Sequence, residues 1–206
     1  MKIITISREF GSGGRELGKR LADALGYAYY DREIEAAIAE RTGMDIRYIA
    51  QMADRNLLMT IPLHFGQTFN SGYVQKQHLD ILVEKQRVMK NLACQSDCVI
   101  VGRAADAILS EYNPFKIFVY ADMDYKIKRC QGYAEVKEHL SVREMEKSIR
   151  KIDAARSQYH RLFPGLDWGN REQYHLCVNT TGLEIKRMVP PLAEYVRNWF
   201  ANRTSP

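Results

Sequence analysis

Short apolar blocks separated by polar residues run along the chain, and their spacing predicts strands that alternate with helices. Residues 2–7 are rich in Ile and Thr and alternate in polarity, which predicts a first strand. Residues 98–102 and 115–120 are compact apolar runs, as expected of strands buried on both faces of a parallel sheet. Residues 28–30 and 175–178 are predicted to form two further short strands.

Apolar residues at helical spacing fill the intervals between these strands. The predicted helices cover residues 15–25, 32–41, 74–94, 124–131, 141–159 and 183–198. Gly26 ends the first of them, Ser141 with Glu144 forms a capping box, and Pro190-Pro191 should kink the last. Strands and helices in alternation predict an α/β domain whose parallel sheet is flanked by helices.

The segment 43–73 is less regular. Asp45 is a candidate cap for a helix that runs through Met52. Residues 60–72 carry Pro62, Gly66 and Gly72 among aromatic side chains, which is typical of a loop or a contact surface. Phe65 and Phe69 have two interpretations, packing in the core or a contact in a homodimer.

Composition narrows the class of protein. The chain has 206 residues, of which 46% are hydrophobic and 27% charged, and this excludes a wholly disordered protein. The apolar runs are much shorter than the roughly 20 residues of a membrane span, so we expect a cytoplasmic protein with reduced cysteines and no membrane contact. A net charge of +5 suits a phosphate-rich small ligand as well as a nucleic acid, but the basic residues are too dispersed to favour nucleic acid.

A glycine-rich loop lies between the first predicted strand and the first predicted helix. Gly11, Gly13 and Gly14 allow the main chain to turn tightly and an anion to approach the backbone N–H groups. The helix N-terminus adds partial positive charge, and Arg8 and Arg15 add full charges. The loop therefore predicts a phosphate site, with a ligand-free tight turn as the alternative.

This region resembles the phosphate-binding loop of nucleoside monophosphate kinases, in particular the bacterial cytidylate kinase group. The helix residues 17–25 set the register, in which 11–13 match the G-x-G before the motif lysine. Gly14 then stands at the lysine, so the resemblance implies that Arg8 or Arg15 replaces its charge and that the Ser12 hydroxyl takes the place of the one that holds Mg²⁺.

The resemblance continues beyond the loop. Residues 101–103, followed by 115–122, look like the family's G-R-D strand end and its next strand, which implies that Arg103 contacts the acceptor nucleotide. Asp153 and Arg156 match a D-x-x-R pair that recognises cytosine and binds phosphate in that family. An ordinary surface salt bridge is the alternative for this pair, because residues three apart share a helix face.

Four further residues carry weaker implications. Arg150 lies one residue from a family arginine that would fall on Ile149, and Lys128-Arg129 resembles the basic pair before the lid, with a solvated helix face as the alternative. Asp31 is either only a helix cap or also part of the acceptor site.

The resemblance implies a single kinase-like domain over 1–206, with a P-loop kinase-like sheet, a divergent helical insert at 32–97 and a lid region at about 130–160. The implied reaction moves the γ-phosphate of ATP, with Mg²⁺, to a nucleoside monophosphate, CMP or dCMP first. The implied catalytic residues are Arg15, Arg103, Arg150 and Arg156. The implied ATP-binding residues are Arg8, Gly11, Ser12, Gly13, Gly14, Arg15 and Arg129. The implied acceptor-binding residues are Asp31, Arg103, Asp153 and Arg156. A nucleotide-binding regulatory protein and a kinase for another small acceptor remain the alternatives.

Overall fold

The computed structural model describes residues 1–31, 33–43, 45, 71–133 and 140–204 of the chain. Its strands are β1 (Ile3–Arg8), β2 (Ala28–Tyr30), β3 (Cys98–Val101), β4 (Phe115–Tyr120) and β5 (Leu176–Asn179). All neighbouring pairs are parallel, and the order across the sheet is β2-β3-β1-β4-β5. Since β1 is central, the loop that follows it lies at the middle of the sheet's carboxyl edge, where parallel α/β sheets bind ligands.

Seven α-helices flank this sheet within the described residues. They are α1 (Gly14–Leu25), α2 (Glu33–Thr42), α3 (Ser71–Ala93), α4 (Ala105–Ile108), α5 (Met123–Tyr133), α6 (Val142–His160) and α7 (Ile185–Thr204). The predicted α/β class, with a parallel sheet and flanking helices, is confirmed. The short α4 was not predicted, and α7 is one helix that contains both Pro190 and Pro191 and continues six residues past the predicted end at Asn198.

Alternation along each strand sends successive side chains into two separate cores. On one face, Ile4 and Ile6 of β1 pack with Leu17 and Leu21 of α1 and with residues of α7. On the other face, Ile3 joins residues of α2, α3 and α4. Every residue of β3 is buried, which explains why its sequence is an uninterrupted apolar run.

Local signals at the helix ends agree with the structure. Ser141 caps α6 in a complete capping box with Glu144, and Gly26 ends α1 in the left-handed conformation at φ 71°. The predicted helix beyond Asp45, residues 60–70 with Phe65 and Phe69, and most of the predicted loop 132–141 lie outside the described residues, whereas residues 71–72, predicted as part of a loop, begin α3.

None of the described helices is long and apolar enough to cross a membrane. All four cysteines are free thiols, with Cys94 exposed and Cys98 buried. In the described part of the chain, His, Cys, Asp and Glu side chains form no group of three or more that could hold a metal ion.

A buried Asp–His pair ties α6 to the end of β3. His160, the last residue of α6, lies 2.8 Å from Asp106 of α4 through Nε2 and Oδ2, and both residues are at most 3% exposed. The remaining polar atoms of the pair, Asp106 Oδ1 and His160 Nδ1, have no hydrogen-bond partner among the described residues. The bond therefore holds the C-terminal end of α6 against the carboxyl edge of the sheet.

We expect Asp106→Asn to destabilise the protein by about 1–2 kcal/mol, because the amide keeps the shape and one hydrogen bond but loses the charge-assisted contact. Denaturant unfolding measures the change in the free energy of unfolding. Asp124→Asn on the exposed face of α5 is the matched control, for which we expect less than about 0.5 kcal/mol. Equal effects at both positions would show that the Asp106–His160 bond contributes nothing to stability.

Candidate active site

The loop between β1 and α1 has a backbone that only glycine accommodates easily. Gly11 and Gly13 have φ values of 79° and 81°, in the left-handed region. A Cβ on Gly11 would lie 2.9 Å from Cys130 Sγ, and a Cβ on Gly13 would overlap Ile185 Cδ1 and lie 3.0 Å from Arg129 Cζ. The loop is thus packed closely against α5 and α7, while the first N–H groups of α1 remain without intrahelical acceptors.

A cavity of about 1100 Å³ opens beside this loop. Basic and acidic side chains of several elements line it together with the loop backbone. Its lining includes Arg8, Glu9, Phe10, Gly11, Gly13, Gly14, Arg15, Glu16, Asp31, Glu33, Arg129, Cys130 and Arg156. A volume of this size is typical of small-molecule and cofactor sites.

The arginines at this cavity and beside it each contact a carboxylate of the chain. Arg15 Nε lies 2.5 Å from Asp31 Oδ2, and Arg8 Nη2 lies 3.7 Å from Asp31 Oδ1. Arg129 pairs with Glu16, and Arg103 pairs with Glu35. A phosphate group that binds here must therefore compete with internal carboxylates for these guanidinium groups.

Arg8 is the most deeply buried of these cations in the cavity wall. Its side chain is 11% exposed, and burial together with the nearby Arg156 lowers the pKa of Arg8 to about 9. Asp31 opposes that shift, while Arg103 and Arg15 add to it. The guanidinium is still charged at neutral pH, and an anion bound beside it would relieve the repulsion among the four arginines.

A network of ion pairs anchors the loop to α5 and α6. Phe10 N donates to Asp153 Oδ1 over 2.7 Å, and Arg156 Nη1 donates to the carbonyl oxygen of Arg8 over 2.9 Å. Lys126 Nζ lies 2.9 Å from Glu9 Oε2 and 3.5 Å from Asp153 Oδ2. Burial raises the pKa of Asp153, and these donors oppose the shift.

The structure decides between the two interpretations of Asp153 and Arg156 only as far as the surface salt bridge is concerned. Asp153 and Arg156 do not form an ordinary surface salt bridge, because both are partly buried and both contact the loop. One carboxylate oxygen of Asp153 accepts the hydrogen bond from Phe10 N, and the other faces Lys126. Asp153 therefore supports the loop in this structure.

Two expected site residues do not line the cavity, and their roles stay predictions. Ser12 is fully buried, and its hydroxyl donates to the carbonyl oxygen of Glu9 over 2.8 Å. Arg150 projects into solvent, with a side chain 67% exposed that pairs with Glu146 one turn away. The family arginine's position falls on Ile149, which is packed between α5 and α6.

Most of the other predicted residues line the cavity, and Arg103 lies outside its lining. Gly11, Gly13, Gly14, Arg8, Arg15, Asp31, Arg129 and Arg156 line the cavity. Arg103 lies beyond Arg8, which it influences electrostatically. In the basic pair, Lys128 is exposed and Arg129 is 17% exposed, so the solvated-face alternative applies to Lys128 alone.

Sequence reasoning missed four charged residues near the site. Glu9 and Lys126 support the loop, and Glu35 and Lys85 lie around Arg103. One signal was available for Lys126, since it precedes Arg129 by three positions and so shares its helix face. Nothing in the sequence marked Glu35 or Lys85, because their partners come from distant elements.

Comparison with known proteins gives a consistent result. The cytidylate kinase-like family matches residues 3–182. A cytidylate kinase from Saccharolobus islandicus is 20% identical over 195 residues, covering 94% of this chain and 90% of that protein. A crystal structure of a protein from Eubacterium ventriosum has a TM-score of 0.66 at 23% identity, covering 96% of this chain and 99% of that one. A shikimate kinase from Bacteroides thetaiotaomicron has a TM-score of 0.56 at 15% identity and covers 95% of this chain and 98% of that one.

Proposed function

Because this chain belongs to the cytidylate kinase-like family, we propose that it transfers the γ-phosphoryl group of Mg²⁺–ATP to a nucleoside monophosphate, with CMP or dCMP as the first candidate. An oxygen of the acceptor's phosphate would attack the γ-phosphorus as the bond to the β–γ bridging oxygen breaks, which yields a nucleoside diphosphate and ADP. Membership of a kinase-like family supports nucleotide use, while the acceptor is the part that we propose.

The observation that supports this reaction most directly is the convergence of arginines beside the glycine loop. Arg8, Arg15 and Arg129 come from β1, α1 and α5 and line one cavity with the backbone of Gly11 and Gly13. A protein catalyses phosphoryl transfer mainly by positioning the two substrates and by placing cations around the transferring group. Guanidinium groups suit this task because each can grip phosphate oxygens at two points.

We assign the donor and the acceptor to adjoining sites, which meet where Arg8 and Arg15 contact Asp31. The loop backbone, the start of α1 and Arg129 would hold the ATP phosphates, and Arg8 with Arg15 would supply the charge that the motif lysine gives elsewhere. Asp31, Arg103 and Arg156 would bind the acceptor. Mg²⁺ would enter with ATP, held mainly by phosphate oxygens and water, as that ion usually is. A reaction fed by ATP is consistent with a cytoplasmic protein.

A kinase for another small acceptor is the second candidate. Asp31 and Glu35 each have a buried carboxylate oxygen without a hydrogen-bond donor among the described residues. Donors such as the hydroxyl groups of a small acid could satisfy them as well as a nucleotide could. Glu35 also lies in the segment 32–97, where the family resemblance is weak.

An assay coupled to ADP release tests these proposals with one panel. The panel contains CMP, dCMP, UMP, AMP and GMP, then small hydroxy acids including shikimate, and a reaction without acceptor measures background ATP hydrolysis. Turnover that is greatest with CMP or dCMP supports the first proposal, and turnover with a non-nucleotide acid supports the second. Tight ATP binding by calorimetry without turnover on any acceptor would contradict both and indicate a nucleotide-binding regulatory protein.

A further inference from the structure

The turn after β3 has an unusual backbone. Gly102, Arg103 and Ala104 have φ values of 75°, 62° and 52°, so three consecutive residues are left-handed and two of them are not glycine. Non-glycine residues adopt this conformation at an energetic cost, and such strain clusters at functional sites. The turn sends the Arg103 side chain toward α2, where Glu35 receives it.

The Arg103–Glu35 pair is incomplete on both sides. Glu35 is 5% exposed, and its Oε1 contacts Arg103 Nη2. Neither Glu35 Oε2 nor Arg103 Nε has a hydrogen-bond partner among the described residues. Buried polar atoms of this kind are rare in proteins without a ligand or water to satisfy them. Within the described residues, the pair therefore leaves one guanidinium N–H and one carboxylate oxygen without a hydrogen-bond partner.

Other charged groups enclose this pair. Lys85 of α3 is 6% exposed and donates to the Tyr159 hydroxyl of α6 over 3.0 Å. Burial raises the pKa of Glu35, whereas Arg103 and Lys85 lower it and Asp31 raises it further. Two buried carboxylates, Asp31 and Glu35, thus lie among three cations, which are the buried Lys85 and the partly buried Arg8 and Arg103. The surplus positive charge favours an anion at the Arg8–Arg103 end of the cluster.

We propose that Glu35 is a positioning residue of the acceptor site, which holds the Arg103 guanidinium in the orientation that receives the dianionic phosphate of the acceptor. This inference rests on the proposed function and adds to it a residue outside the motifs that carry the family resemblance. Glu35 acts through Arg103 and does not itself touch the phosphate. The positive charge of Lys85 also stabilises the Glu35 carboxylate.

A double-mutant cycle on CMP affinity tests this role. The variants are Glu35→Gln, Arg103→Gln and the double variant, with Glu40→Gln on the exposed face of α2 as the matched control. We expect Glu35→Gln to weaken CMP about tenfold while ATP affinity changes less than about twofold. In the Arg103→Gln background the Glu35 change should cost little more, because its target is already absent. Thermal melting identifies any variant that is not folded. If one single variant does not fold, the double variant, which leaves neither charge unpaired, is compared with the wild type and with the other single variant.

The outcomes separate this inference from the proposed function. Additive losses in the cycle, or equal losses for CMP and ATP, would overturn the positioning role, as would a wild type that binds neither CMP nor inorganic phosphate. If phosphate or CMP binds in the wild type and the cycle is non-additive, but no acceptor is phosphorylated, the inference stands and the kinase proposal fails. Calorimetry with CMP and inorganic phosphate supplies these affinities without any need for turnover.

Discussion

Arg8→Met is expected to lower kcat/KM by about 10³-fold, which is the scale on which a cation at the transferring phosphoryl group contributes to such reactions. Arg8 ends the central strand, its side chain is 11% exposed, and it reaches Asp31 from the cavity wall. Methionine keeps the apolar stem and the approximate length but removes the charge. Steady-state kinetics with varied ATP and varied acceptor measure the loss.

Arg150→Met is the matched control for this variant. It removes the same chemical group from α6, but from a side chain that is 67% exposed and paired with Glu146 at the surface. We expect kinetics within about twofold of the wild type and a stability change below about 0.5 kcal/mol. A full loss of activity in Arg150→Met, or full activity in Arg8→Met, would show that the cavity described here is not where phosphoryl transfer occurs.

The difference between these two arginines shows where sequence reasoning ends. Resemblance put Arg150 one position from a family arginine, and a shift of one residue turns a helical side chain by about 100°. That rotation separates the interface between α5 and α6, where Ile149 lies, from solvent, where Arg150 lies. A match by spacing must therefore be in register before it assigns a role on a helix.

The strands and most helices could be predicted because their signals are local. A strand buried on both faces is an unbroken apolar run, as in β3, and a capping box such as Ser141 with Glu144 fixes a helix start within a few residues. The carboxylate partners of the arginines could not be predicted in the same way. Arg103 meets Glu35, and Arg129 meets Glu16, only because the sheet order brings their elements together.

The orientation of Ser12 is also set by contacts between residues that are distant in the sequence. A hydroxyl inside a glycine loop matches the position of a metal ligand by sequence, but here Thr180 donates to the Ser12 carbonyl oxygen while the Ser12 hydroxyl donates to Glu9. Contacts from a residue 168 positions away thus fix which side of the loop this residue presents. In this protein the loop supplies backbone groups to the cavity, and its charge comes from the neighbouring arginines.

Gly102→Ala is expected to lower kcat/KM by about 10²-fold, although the substitution removes no charged group. An alanine Cβ at this position would overlap Arg8 Nη1 and lie 2.7 Å from Arg8 Cζ, so the guanidinium must move. A displacement of about 1 Å in a positioned group is enough for a loss of this size. Kinetics and thermal melting on the same preparation separate the loss of activity from any loss of stability.

Gly26→Ala provides the comparison that isolates the displacement. Gly26 has a φ of 71°, close to the 75° of Gly102, but a Cβ there would meet nothing within 4 Å. Both variants therefore bear the backbone strain of a left-handed alanine, about 1–2 kcal/mol, and only Gly102→Ala also moves Arg8. We expect Gly26→Ala to lose stability and keep its kinetics. If the two variants lose activity equally, backbone strain explains the result and the position of Arg8 does not. If Gly102→Ala alone is impaired, phosphoryl transfer requires the Arg8 guanidinium at the position that it has in this structure.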